Sequence, residues 1–195
     1  MTTIPAARLT SNARLVALLG VLAAIGSVLR VTTVGIAGVE TVFIVVILGA
    51  RILGARLGFI LGVATIAVSS LIVGGFGPWT LFQLLGVGLV GLGAGLLPRA
   101  HGWREFTLLA AYGIIASYVF GAFMNLWFWP WLVGADTSIS FAPGAGFIDN
   151  ATRFGLFTLV TSTLTWDTVR AITTAVGIAL VGRFVLGALR RTTNR

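Results

Sequence analysis

The sequence contains no cysteine, no lysine, one histidine and only five acidic residues among 195. Without cysteine there can be no disulfide, thiolate metal site or cysteine nucleophile. With His101 alone there is no His-Glu-x-x-His zinc motif and no histidine pair inside an apolar stretch. The turn Gly74-Gly75-Phe76-Gly77 lacks the lysine of a phosphate-binding loop, and no nucleophile elbow is present. Charge is scarce as well: 9% of residues are charged, where a soluble domain has about 25%. Such a chain has too little polar surface to cover a water-soluble fold.

What is present instead is apolar sequence, with 57% hydrophobic residues and a mean hydropathy of +1.05. All 13 basic residues are arginines, giving a net charge of +8. They sit between apolar runs and form no stripe with interleaved aromatics, so they report membrane topology and not nucleic-acid binding. The partner this composition implies first is the lipid bilayer. A signal peptide is the alternative reading of the first apolar run, 15–28. The residues Gly26-Ser27-Val28-Leu29-Arg30 make a poor cleavage site, so a retained helix is expected.

A helix needs about 20 apolar residues to cross a hydrocarbon core of about 30 Å. By that measure the chain is a single membrane domain over 1–195, an all-α bundle of six transmembrane helices at about 13–30, 38–54, 57–74, 79–98, 106–128 and 167–189. The segment 129–165 reads as a loop and then a short helix packed on the bundle, because Arg153 and six Thr or Ser residues make 151–165 a poor lipid-facing span. Nine arginines (Arg8, Arg14, Arg51, Arg56, Arg99, Arg104, Arg190, Arg191 and Arg195) fall on one side of such a bundle. Arg30, Arg153 and Arg170 fall on the other. The positive-inside rule then puts both termini in the cytoplasm and the 129–152 loop, with Asp136 and Asp149, outside. No internal repeat is visible, which weighs against an inverted-repeat transporter.

On this topology the polar residues converge. Arg30, Glu40, Gln83, Asn125, Asp167 and Arg170 come from five spans and share one depth near the outer surface. Trp79, Trp127, Trp129, Trp131 and Trp166 surround them, and the inner side has only Trp103. An aromatic belt would occupy both interfaces. The asymmetry favours a ligand pocket, since ionisable groups at the edge of a span are functional by default. The plain alternative is structural pairing of Glu40 with Arg30 and of Asp167 with Arg170, or capping of the last helix by Asp167. The first span also carries small residues at Ala13, Ala17, Gly20 and Ala24. Small-x-x-x-small spacing lets another helix approach closely, either within the bundle or from a partner, and Gly86, Gly91 and Gly95 in the fourth span offer the same pattern.

Several stretches resemble one family. They are the Ala-rich first helix, ETVFIVVILGARILGARLGFILG from Glu40, GPWTLFQLLGVGLVGLGAGLL from Gly77, FMNLWFWPW from Phe123 and TSTLTWDTVRAITTAVGIALVGRFVLGALRR from Thr161. The Gly-Pro-Trp-Thr turn with Gln83, and Trp-Asp-x-x-Arg at the start of the last helix, are the most specific pieces. Together they are similar to the substrate-binding S components of energy-coupling factor (ECF) vitamin transporters, with motif detail nearest the branch for cobalamin and related corrinoids. The resemblance implies a prokaryotic plasma-membrane protein that captures a vitamin at its outer face and has no catalytic activity, cofactor or metal site of its own. It implies a docking face at Ala13, Ala17, Gly20 and Ala24 for a membrane scaffold subunit driven by two ATPase subunits. Here Gly20 stands where the family's pattern has alanine. It also implies that segments near 30–38, 74–80 and 129–150 close over the substrate. The same residues leave a second function open, a small membrane enzyme acting on a lipid or isoprenoid with Glu40, Asp167 and Arg170 as acid, base and anion clamp. A stand-alone channel or exporter would need a polar path through inner halves that are almost unbroken Leu, Val, Ile, Gly and Ala.

Overall fold

The computed structural model describes residues 6–131 and 137–193, and Asp136 and Arg195 lie outside them. Among the described residues every regular element is a helix, with no strand. Seven helices follow one another: α1 (Ala6–Thr33), α2 (Val42–Leu53), α3 (Ala55–Val73), α4 (Thr80–Leu96), α5 (Trp103–Phe128), α6 (Phe147–Thr158) and α7 (Thr168–Thr193). A single 3₁₀ turn, Trp129–Trp131, follows α5, and a π-helical segment, Leu159–Asp167, joins α6 to α7.

Four stretches are long and apolar enough to cross a membrane: Ala13–Thr33, Ala55–Val73, Trp103–Trp131 and Phe147–Thr192. Their outward faces are apolar too, with Val16, Leu71, Val119, Leu180 and Phe184 all exposed. The interior, by contrast, holds Ser27, Thr65, Ser69, Glu105, Asp167, Arg170 and Thr174. An apolar outside around a partly polar inside is the arrangement of a membrane-embedded bundle.

The second span expected at 38–54 is a helix of only 12 residues. Gly35 and Gly38 take positive φ, so 34–41 forms turns and α2 starts beyond Glu40. At its other end Gly54, at φ 83°, is the sole residue between α2 and α3, a conformation that costs glycine little. Consequently α2 is short, and it is enclosed: Val42, Phe43, Val46, Ile47, Leu48 and Ala50 are all buried. It packs on α1, α3, α4, α5 and α7 and is the centre of the bundle.

The expected break before the last span is also absent. Between 156 and 176 there is neither glycine nor proline, so nothing stops the helix. Of the hydroxyls that made 151–165 look unsuited to a span, Thr152 donates back to the Ile148 carbonyl (2.9 Å) and Thr161 to the Phe157 carbonyl (2.7 Å). Helix α6, the π-helical segment and α7 therefore form one continuous stretch of 46 residues.

The two sets of small residues separate cleanly. Those of α4 pack inside the bundle: a Cβ on Gly91 would meet the Gly58 carbonyl of α3, and one on Gly95 the backbone of Ala55. Those of α1 do not, since Ala13, Ala17, Gly20 and Ala24 are exposed and nothing lies within 4 Å of a Cβ built on Gly20. Gly91→Ala is expected to force α3 and α4 apart and lower stability by about 1–3 kcal/mol, as overpacking does. Gly20→Ala should leave it unchanged or slightly raised. Thermal unfolding of the detergent-purified variants measures both.

Candidate functional site

The turn before α2, the start of α4, the end of α5, α6, the π-helical segment and the start of α7 meet at one end of the bundle. There they surround a cavity of about 460 Å³. Glu40, Gln83, Asn125, Trp166, Asp167 and Arg170 line it, with apolar walls from Phe120, Met124, Phe128 and Phe157. Six of the ten residues expected to bind substrate are thus brought together.

Arg170 is the hub. Its Nε donates to Glu40 Oε2 (2.7 Å), and one terminal nitrogen donates to Asp167 Oδ1 (2.7 Å) and to the Ser117 carbonyl (3.2 Å). The guanidinium also lies over the rings of Phe120 (4.9 Å) and Phe43 (5.8 Å), whose faces attract cations. Only 6% of Arg170 and none of Asp167 is exposed, so this charge pairing is dry, whereas the Glu40 side chain keeps 31% of its surface open to the cavity side. The second Asp167 oxygen accepts from the Ser162 hydroxyl at 2.6 Å. That bond spans five residues, the period of a π-helix, so the widened turn places Ser162 against the carboxylate. Gly121 of α5 completes the arrangement. A Cβ there would collide with the Asp167 carboxylate, and its absence lets α5 come close.

The two ion pairs expected from sequence resolve differently. Asp167 pairs with Arg170 and does not cap a helix, because the helix does not begin there. Glu40 pairs with Arg170 across 130 residues, not with Arg30. Arg30 instead donates to Ser69 Oγ (3.0 Å) and to Gln83 Oε1 (3.2 Å). It stands behind Gln83 and fixes which way that amide presents itself to the cavity. Asn125 is held by the Thr158 hydroxyl at 3.3 Å.

The tryptophans divide. Trp166 lines the cavity. Trp127 packs with Phe82 and Phe128 beside it. Trp129 is buried elsewhere, donating its indole N–H to the Ile139 carbonyl (2.8 Å) between the rings of Phe141 and Phe154, and so ties down the segment after 137. Trp79 and Trp131 are exposed, as belt residues are.

Sequence reasoning passed over Ser117, Gly121, Ser162 and the apolar walls. Ser117, Gly121 and Asn125 recur at i, i+4 and i+8, so a small-and-polar stripe on α5 was readable. Ser162 was not, because only π geometry brings it to Asp167.

It also passed over Glu105, which is buried at the opposite end. Its carboxylate accepts from Arg51 Nε (2.9 Å) and, through both oxygens, from Arg190 (2.7 Å), while Arg51 also donates to the Leu97 carbonyl (3.0 Å). This clasp joins α2, α5, α7 and the end of α4.

Compared with protein-family models, curated proteins and solved structures, the chain matches none of them.

Removing one partner of a buried ion pair costs about 3–5 kcal/mol, because the other charge is left uncompensated. Arg170→Met is expected to destabilise the protein by about that much, and Arg170→Met combined with Asp167→Leu by clearly less. A double-mutant cycle on thermal or denaturant unfolding checks this.

Proposed function

We propose that the chain is the substrate-binding S component of an ECF-type importer, capturing a vitamin at the outer face of a prokaryotic plasma membrane. The observation that carries this reading is the cavity itself, a half-open pocket with one aromatic wall and several oriented polar groups, closed at its base by buried charges. Such a pocket suits recognition of a solute, with polar groups setting orientation and apolar walls supplying contact.

In this reading the bundle has six spans: α1 to α5 and the continuous α6–α7 stretch, with α2 enclosed enough to be shorter and α4 a shorter span at the bundle's surface. The arginine-rich end, with Arg14, Arg51, Arg56, Arg99, Arg104, Arg190 and Arg191, is cytoplasmic by the positive-inside rule, and so are both termini. The cavity then opens outward. The outward-turned stripe of Ala13, Ala17, Gly20 and Ala24 is the face for the scaffold subunit, and two ATPase subunits supply the energy that this chain has no motif to harvest.

The likeness to the cobalamin branch makes a corrinoid the first ligand to test. The cavity's volume of about 460 Å³ falls within the roughly 300–1,000 Å³ of pockets for drug-sized ligands. A compact vitamin would be enclosed by it, while a corrinoid would be gripped along part of its edge. The enzyme reading has less support, because Arg170 is already engaged by two carboxylates and the carboxylates by it.

A thermal-shift screen of the purified protein against a vitamin panel that includes cobalamin should give one ligand whose stabilisation rises with concentration, reaching about 2.7 kcal/mol at a hundredfold excess over Kd. Trp166→Ala should weaken that ligand about tenfold. Gly20→Trp should abolish co-purification with the scaffold and ATPases yet keep the ligand response. A protein stabilised by no vitamin, or one that never associates with an ATPase module, would overturn the proposal.

A further inference from the structure

A second cavity lies at the arginine-rich end, in a groove of about 720 Å³ between α1 and α7. Helix α1 packs on α2 and α3 and α7 on α2 and α5, so the groove is the seam where two outer helices flank each other without interlocking. Its α1 wall is Arg14, Ala17, Leu18 and Val21, spaced i, i+3, i+4 and i+7, which is one helical face. Its α7 wall is Ala188, Arg191 and Thr192, again one face.

The chemistry of this groove is sharply divided. The floor is aliphatic, and the mouth carries two exposed guanidinium groups from different helices. No acidic side chain lines it, and among the described residues neither Arg14 nor Arg191 makes an ion pair, in contrast to Arg51, Arg153, Arg170 and Arg190. Arginines near helix ends commonly extend to the membrane interface singly. Two of them aimed into one apolar-floored seam form a site with the polarity of a lipid: cations where a phosphate would lie, hydrocarbon below it.

We propose that this groove binds an anionic phospholipid, its phosphate held between Arg14 and Arg191 and an acyl chain lying along Leu18, Val21 and Ala188. Guanidinium groups suit this role because their planar donors engage phosphate oxygens in pairs. Basic pockets between membrane helices are where such headgroups bind. The site is separate from the Arg170 cavity and does not depend on what that cavity holds. Ala17 belongs both to the groove and to the exposed stripe of α1, so a lipid seated here would border any partner docked on that stripe.

Delipidated full-length protein in neutral detergent, titrated with phosphatidylglycerol or phosphatidylcholine, provides the test by native mass spectrometry and thermal unfolding. Phosphatidylglycerol should be retained and raise the unfolding temperature, and phosphatidylcholine should not. Arg14→Gln and Arg191→Gln should each weaken retention about tenfold. Ala188→Phe, which fills the groove without changing charge, should abolish it, and Arg56→Gln, an exposed arginine elsewhere at the same end, should have no effect. Equal stabilisation by both lipids, an equal loss in Arg56→Gln, full retention in Ala188→Phe, or the same stabilisation from glycerol phosphate alone would each overturn the proposal.

Discussion

A guanidinium shut away from water must be answered on every side, and most of the architecture around the cavity follows from how Arg170 is answered. Moving an ion from water into a low-dielectric interior costs several kcal/mol even after relaxation. Here two carboxylates, one backbone carbonyl and two aromatic faces meet it. Each answer constrains a different element. Glu40 must sit just ahead of α2, which is why the chain turns at 34–41 instead of continuing as helix. Asp167 must lie on the same winding as Arg170, so the helix runs on through it. Gly121 must lack a side chain. The buried pair is weak evidence of stability, and what it does is tie α7 to α5 through the Ser117 carbonyl and to the segment before α2 through Glu40.

Helices in lipid gain little by burying apolar surface against one another, because the surroundings are equally apolar. The bundle relies on two other devices. At its ends, ions tie helices that are distant in sequence: Arg170 joins α7 to the start of α2 at one end, and Glu105 joins α2, α5 and α7 at the other. Between the ends, glycines bring backbones together, most closely where Gly58 of α3 meets Gly91 of α4. Neither device would serve a soluble protein as well, since water would weaken the ions and a hydrophobic core would make the glycines unnecessary.

Hydropathy made the helices legible, and the grouping of Glu40, Gln83, Asn125, Trp166, Asp167 and Arg170 at one depth was legible from their positions at span ends. Pairing was not. Glu40 and Arg30 are ten residues apart and at the same depth, which makes them natural partners on paper, yet the arrangement of α2 beside α7 gives Glu40 to Arg170. Glu105 stands two residues into its helix beside Arg104, and only the packing of α2 and α7 around it shows that it is buried. The threonines before Asp167 misled for a related reason. Their polarity suggests surface, whereas hydroxyls that bond to their own helix carry no demand for water. Trp129 shows the reverse case, an aromatic in a rich cluster whose task is to hold a loop.

Helix α2, at 12 residues, is about 18 Å long at 1.5 Å per residue and is wrapped by its neighbours. A bilayer would therefore meet α1, α3, α4, α5 and the α6–α7 stretch but hardly touch α2. Outer helices adapt to a thicker or thinner membrane by tilting, at a fraction of a kcal/mol per Å of mismatch. An enclosed post has no such adjustment to make. Phe43 and the neighbouring Glu40 are carried by that post, so the side of the Arg170 cluster that they form is set by the packing of the bundle and not by the thickness of the membrane.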